Sequence, residues 1–350
     1  MAEQLLEMEQ YMQRCLQLAQ KAQGITYPNP MVGCVIVHQG RIIGEGYHIK
    51  AGSPHAEVNA IRSVKDHSLL KESTLYVNLE PCAHYGRTPP CSLLIIEKQI
   101  PRVVIGCVDS FSEVAGKGIE MMKAKGIDVL VGVCEADARE LNRRFFTFHE
   151  KRRPYIILKW AQSADGFLDA NRSAEEKPVW LTNEWARKQV HKQRSEEMAI
   201  LIGTNTALLD NPSLTVRQWY GAQPLRVVID RNLKLPQNLT LFTDGLPTLV
   251  VNAIKNGRKE AVSYAQINFS GNFEQELLNL LYQQKIQSVI IEGGRVTLSS
   301  FIDKGLWDEA YVYEGIAKLG DGVAAPAFAH RPQKIVSLNE SRLYCYRNHQ

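Results

Sequence analysis

The chain has 350 residues, 45% of them hydrophobic and 22% charged, a length beyond one typical core and an ordinary globular balance. A net charge of +4 is far below that of most nucleic-acid-binding domains, and no apolar run approaches a membrane span, so neither nucleic acid nor membrane is an expected partner. The seven cysteines (Cys15, Cys34, Cys82, Cys91, Cys107, Cys134, Cys345) are odd in number and scattered, and the acidic, amphipathic start MAEQLLEMEQYMQRC lacks a signal-peptide pattern, so a reducing cytoplasm is the expected setting.

Met8, Met12, Cys15 and Ala19 form an apolar stripe that predicts a helix over 7–23. After the turn signal Tyr27-Pro28-Asn29-Pro30, MVGCVIV predicts a buried strand and RIIGEGY its hairpin partner. A helix over His55–Val64, the strand STLYVNLE and a helix in PPCSLLIIEK, with prolines at its start, come next. PRVVIGCV, AGKGIEMMKAKG, IDVLVGV and EADARELNRRFF continue as strand, helix, strand and helix, an alternation that implies a layered α/β sheet. The basic run His149-Glu150-Lys151-Arg152-Arg153-Pro154 interrupts it, and 148–153 is read as a linker between domains at 1–148 and 154–350. Beyond it the alternation resumes from PYIILKWAQSADG to EAYVYEG, with neither G-x-G-x-x-G nor a P-loop, so a nucleotide cofactor would be bound some other way.

The first chemistry-bearing string is PHAEVNA followed by LEPCAHYGRTPPC. His55, Cys82 and Cys91 supply one imidazole and two thiols, a donor set that suits Zn²⁺ with a fourth position open to water. Glu57 supplies a carboxylate that is not a ligand and can carry protons, the arrangement of zinc deaminases, here with eight residues between the cysteines where two are usual. A structural zinc with His84 as fourth ligand, or buried cysteines with Glu57 complementing a helix dipole, would be the bland alternatives; the ligand logic favours catalytic zinc.

Four strings in the second half read as ligand contacts: Lys159 before Ser163-Ala164-Asp165-Gly166, Gly203-Thr204-Asn205-Thr206 after a strand, the polar loop Asp210–Arg217, and Glu292-Gly293-Gly294 between strand and helix. Each alone is ordinary turn chemistry; together they suggest one cleft at the carboxyl ends of strands, with N–H groups free to hold a phosphate.

TYPNPMVGCVIV, GEGYH, PHAEVNA, LEPCAHYGRTPPC, LKWAQSADG, WLTNEWAR, DNPSLTVR and IEGG, in this order, resemble the bifunctional riboflavin-biosynthesis deaminase–reductases over nearly the whole chain. The resemblance implies an N-terminal cytidine-deaminase-like α/β/α domain and a C-terminal dihydrofolate-reductase-like α/β domain. The first would use zinc to hydrolyse the 2-amino group of 2,5-diamino-6-ribosylamino-4(3H)-pyrimidinone 5′-phosphate. The second would use NADPH, held without a Rossmann fingerprint, to reduce the ribosyl chain to ribityl. It implies His55, Cys82 and Cys91 on zinc, Glu57 as proton shuttle, and Asn29, His48 and Arg87 lining the deaminase pocket. In the reductase it implies Lys159 and Glu292 flanking the ribose and assisting its ring opening, and Arg194, Leu214 and Arg217 on substrate, the arginines on its phosphate. Ala161, Trp180, Thr206, Asp210 and the segment from Gly294 match NADPH positions, although Trp180 reads equally well as core. A homo-oligomer, dimer or tetramer, is the expected assembly.

Three departures stand out. Pro178 occupies a charged loop where the family usually has serine, and the glycine-rich closing segment is compressed to GIAKLGDGVAAP. Arg231 stands where serine is frequent, and is expected to grip the 2′-phosphate and favour NADPH over NADH. A deaminase acting on a nucleoside or tRNA is the competing enzyme reading, but no basic stripe or stacking platform supports it. A structural zinc module joined to a nucleotide-binding domain requires Glu57 to be idle.

Overall fold

The computed structural model describes residues 2–85, 89–110, 115–173, 176 and 179–348. It divides into two compact units, Met1–Lys151 and Arg152–Gln350.

In the first unit the chain runs α1 (Ala2–Gln20), β1 (Gly33–His38), β2 (Arg41–Tyr47), α2 (Ala56–Ser63), β3 (Thr74–Leu79), α3 (Cys91–Glu97), β4 (Arg102–Cys107), α4 (Lys117–Lys123), β5 (Asp128–Val131), α5 (Glu135–Leu141) and α6 (Arg143–Lys151). The five-stranded sheet has the order β2-β1-β3-β4-β5. Its β1 is antiparallel to β2 and β3, and the β3–β4 and β4–β5 pairs are parallel. Alternation along β1 explains the layering, because successive side chains leave opposite faces. Cys34 and Ile36 pack with Ala60, Ile61, Ile95 and Met122 of α2, α3 and α4, whereas Val35 and Val37 pack with Met12, Cys15 and Leu18 of α1.

The boundary between the two units falls inside the stretch 148–153, part of which is helical. Helix α6 carries Phe145, Phe146 and Phe148 into the core and runs to Lys151, while Arg153 forks onto Asp308 at 2.6 and 2.8 Å. The cations at the helix end masked an amphipathic helix. The start of α1 likewise lies five residues earlier than the stripe of apolar residues suggests.

The second unit runs β6 (Tyr155–Gln162), β7 (Phe167–Asp169), α7 (Glu184–Glu196), β8 (Ala199–Ile202), α8 (Thr204–Asp210), β9 (Leu225–Ile229), α9 (Thr240–Thr243), β10 (Thr248–Asn252), β11 (Gly257–Lys259), β12 (Val262–Gln266), α10 (Phe273–Gln283), β13 (Ser288–Ile291), α11 (Arg295–Asp303), β14 (Glu309–Glu314), β15 (Val323–Ala324), β16 (Lys334–Leu338) and β17 (Ser341–Arg347). A ten-stranded sheet has the order β11-β12-β10-β9-β8-β13-β6-β14-β17-β16. It is parallel from β12 to β14 and edged by antiparallel strands. The parallel strands are apolar on both faces, as burial between helical layers requires. Leu201, Val227 and Leu249 pack under Leu277, Leu278 and Phe301 of α10 and α11, and Ile200, Val228 and Val250 pack with Ala207 of α8 on the other side. Among the described residues, no helix is long and apolar enough to cross a membrane.

Candidate active sites

In the first unit, α2 begins at Ala56, so His55 occupies its N-cap and Glu57 its first turn. Cys82 lies in the loop after β3, and Cys91 opens α3. His55 Nδ1 stands 3.5 Å from Cys82 Sγ and 3.4 Å from Cys91 Sγ, and the Cys91 N–H donates to Cys82 Sγ at 3.3 Å. The three ligand atoms lie within 4.8 Å of one another. Zinc bonds of about 2.3 Å to sulfur and 2.0–2.1 Å to nitrogen, subtending a tetrahedral angle, place N and S about 3.5 Å apart. The donor set therefore fits zinc. His84 is exposed and is not among the clustered ligand atoms, which counts against the four-ligand structural alternative.

Glu57 is 3% exposed, and burial pushes its carboxyl upward while His55 opposes the shift. His48, also buried, has its ring centroid 5.4 Å from that of His55. Its Nδ1 lies 3.2 Å from the Pro54 carbonyl, which can only accept, so Nδ1 carries the proton and Nε2 accepts from Asn29 Nδ2 at 3.0 Å. Burial lowers the His48 pKa, which suits a neutral ring holding Asn29 beside the metal ligands. Arg87 lies outside the described residues, as does Pro178.

One residue escaped the motif reading. Glu80, buried two residues before Cys82, accepts from the N–H groups of Asp109, Gly116, Gly118 and Ile119 at 2.9–3.3 Å. Four backbone donors on one carboxylate tie the cysteine loop to the start of α4. The only sequence signal was a carboxylate next to Pro81-Cys82.

In the second unit, β6 and β13 are paired so that Lys159 lies level with Glu292 just past the end of β13. Lys159 Nζ is 3.6 Å from Glu292 Oε2, and Arg194 of α7 grips both Glu292 oxygens at 3.0 and 2.7 Å. Burial alone would raise the Glu292 pKa, but the two cations overcome it and hold the carboxyl at about 2. Burial lowers that of Lys159, opposed by Glu292. Arg194 Nη1 also donates to the Thr215 carbonyl at 3.3 Å. Arg194 therefore bridges Glu292 and a loop carbonyl beside Lys159, and the resemblance also gives it to the substrate. Arg217 is exposed, and its Nη1 donates to Ser213 and Thr215 hydroxyls. Leu214 is buried beside it with a left-handed φ of 54°.

The Gly203–Thr206 stretch follows β8, with Gly203 as the N-cap of α8. A Cβ on Gly203 or Gly293 would stand 2.7 or 2.9 Å from Thr297 atoms, and one on Gly294 would stand 3.2 Å from Thr206 Oγ1. Only glycine lets the loops after β8 and β13 approach this closely, leaving the N-terminal N–H groups of α11 uncovered by side chain, as a phosphate-holding cradle needs. Asp210 closes α8 in an ion pair with Arg172, whose Nε also bonds Asp169 at 2.7 Å. Trp180 is 72% exposed and lies 5.0 Å from the Arg187 guanidinium, which excludes a core role. Ala161 is half-buried on β6. Arg231 follows β9 and lines a cavity of about 590 Å³ with Ala253, Gln266, Asn268, Phe269 and Asn279. Its guanidinium lies 5.8 Å from the Phe269 ring centroid.

Two family models match the chain: the cytidine and deoxycytidylate deaminase zinc-binding region over residues 6–107, and the RibD C-terminal domain over 154–346. The riboflavin biosynthesis protein RibD of Aquifex aeolicus is 42% identical over 319 residues, spanning 90% of this chain and 88% of that protein. The chain belongs to the RibD family. The Escherichia coli RibD is 37% identical over 89% of this chain and 88% of its own length. Acinetobacter baumannii RibD superposes with a TM-score of 0.88 at 34% identity, covering 99% of this chain and 100% of that one. The Thermotoga maritima diaminohydroxyphosphoribosylaminopyrimidine deaminase/5-amino-6-(5-phosphoribosylamino)uracil reductase gives 0.87, also at 34% identity and 99% coverage of both chains. The RibD family is one of bifunctional zinc-dependent deaminases and NADPH-dependent reductases in riboflavin biosynthesis, and this chain carries both of its domains.

Proposed function

We propose that the first unit deaminates 2,5-diamino-6-ribosylamino-4(3H)-pyrimidinone 5′-phosphate and the second reduces the ribosyl chain of the product to ribityl. The observation that carries this reading is the cluster of His55, Cys82 and Cys91 with buried Glu57 two residues along the same helix.

His55 Nδ1 and the two cysteine sulfurs would hold zinc, which when bound supplies a Lewis acid that makes water nucleophilic at neutral pH. The Glu57 carboxylate takes a proton from the water attacking C2 of the pyrimidinone and delivers it to the departing amine, which leaves as ammonia. Asn29, positioned by neutral His48, offers an amide to the ring. In the second unit Lys159 and Glu292, 3.6 Å apart, flank the ribose. A proton delivered to the ring oxygen lets the C1′–O4′ bond break while the lone pair of the exocyclic nitrogen forms C1′=N, the hydride acceptor. NADPH, when bound, supplies the hydride; the Gly293–Gly294 cradle would take its phosphates, with Ala161, Trp180, Thr206 and Asp210 around it. Leu214 and Arg217 contact the substrate, Arg217 through its phosphate.

The test is ammonia release from the diaminopyrimidinone phosphate, followed by NADPH oxidation. Zinc-loaded protein is expected to release ammonia without NADPH and to consume NADPH once it is added. A zinc chelator should stop the first step while reduction of pre-deaminated substrate continues. Absence of ammonia from zinc-loaded protein, or reduction that stops with chelation, would overturn the assignment.

Arg231 is the chain's own specificity element in this reading, since its guanidinium lines the cavity beyond β9. Arg231→Ala is expected to raise KM for NADPH about tenfold or more, the loss of a charge-assisted phosphate contact, and to leave KM for NADH within about twofold. An equal effect on both cofactors would refute the contact. A homo-oligomer and a cytoplasmic setting complete the proposal, the second supported by all seven cysteines being free thiols.

A further inference from the structure

Residues 215–217 belong to no helix or strand, yet side chains hold four of their backbone groups in succession. The Thr215 carbonyl accepts from Arg194 Nη1 at 3.3 Å. Gln223 holds Val216 at both ends, accepting from its N–H at 2.7 Å and donating to its carbonyl at 3.0 Å. The Arg217 N–H donates to Nδ1 of His191 at 3.2 Å. His191 lies on α7 one turn before Arg194 and is 6% exposed.

Such a segment could have been left to water, at lower ordering cost. Side-chain clamps on four successive groups, from the Thr215 carbonyl through both ends of Val216 to the Arg217 N–H, suggest instead that the direction of one side chain matters. The side chain at the end of the clamp is Arg217. Its Nη1 is turned to Ser213 and Thr215 at 2.8 and 2.9 Å, while its other donors have no partner among the described residues.

We propose that His191, as a neutral imidazole accepting at Nδ1, is a positioning residue that aims Arg217 at the substrate phosphate. The inference rests on the reading of Arg217 as a phosphate contact. Its chemistry is restrictive: a protonated ring has no lone pair for the Arg217 N–H and would set a third cation beside two guanidinium groups. The surroundings keep it neutral. Burial first, then Arg194 and Arg217, depress its pKa to about 4, against smaller opposing effects from Glu292 and the Thr215 carbonyl.

The closing experiment is reductase kinetics on the deaminated intermediate with and without its 5′-phosphate, using His191→Ala, His191→Asn and Arg217→Gln, with thermal unfolding of the second unit in the same samples as a folding control. His191→Ala is expected to raise KM for the phosphorylated substrate about tenfold, as loss of one oriented contact would. It should leave kcat, KM for NADPH and KM for the dephosphorylated substrate within about twofold. Asparagine, which places an acceptor near the Nδ1 position, should recover most of the loss. If Arg217→Gln leaves KM unchanged, the phosphate reading itself fails. If Arg217→Gln raises KM but His191→Ala does not, only the positioning role fails. If His191→Ala does not fold, the asparagine variant decides: kcat, both KM values and thermal stability declining together would mark His191 as merely structural.

Discussion

Replacing Glu57 with glutamine is expected to lower deamination about 10²–10⁴-fold, the usual worth of a positioned general acid–base group. Zinc uptake should remain, because Glu57 is not among the three clustered ligand atoms. The amide is nearly isosteric, and Glu57 is 3% exposed, so the cavity around it stays filled and α2 keeps its first turn. Reduction of pre-deaminated substrate should be unaltered, because the second unit carries its own core and its own charge cluster. The measurement is ammonia release beside zinc content on one preparation. Wild-type turnover in the variant would show that Glu57 is idle, and loss of zinc with loss of folding would give it a structural part.

The two sites were not equally legible from the sequence. Every element of the zinc centre sits in two short strings, because a helix N-cap, a strand-end loop and the next helix start bring His55, Cys82 and Cys91 together. Spacing and residue type carried that reading, and the geometry agrees with it. In the reductase, Lys159, Arg194 and Glu292 come from a strand interior, a helix and a strand end. Turn chemistry beside strand ends marked Lys159 and Glu292 as contacts, but nothing in the spacing announces that a carboxylate is gripped by two cations, and only the resemblance to a known family pointed to Arg194.

The errors in local structure have physical causes as well. The β7–β15 pairing joins three residues to two, too short for a period of two to show. Strands β16 and β17 form the outer hairpin of the sheet and are partly exposed, so their apolar alternation is diluted. Helix α8 has only seven residues, too few for a helical period to show in the sequence, and packing of Ala207 fixes it. In α6 three phenylalanines carry the helix on through part of the basic run that follows them.

Glu292→Gln should be the most damaging single change in the second unit, removing the carboxylate while leaving Lys159 and Arg194 in place. With side-chain exposures of 9% for Glu292, 13% for Lys159 and 12% for Arg194, neither cation finds ready solvent. Breaking a buried ionic cluster from one side costs about 3–5 kcal/mol, far more than the cluster itself adds over an apolar packing. Reductase turnover is expected to vanish, and thermal unfolding of the second unit to shift downward while deaminase turnover persists at permissive temperature. The sign of the pH dependence follows from the depressed carboxyl. A folded-state value of about 2 means that its stabilisation is complete above the unfolded carboxylate value, about 4.3, and fades as pH falls toward 2. The stability gap between wild type and variant should therefore be full at neutral pH and shrink on acidification through that window. Adding Lys159→Met to Glu292→Gln should recover part of the stability, because one stranded cation is gone, but none of the activity. A gap that stays constant down to pH 2, or a double variant no more stable than the single one, would mean that the carboxylate is not balancing these charges and that its hold on Lys159 is incidental.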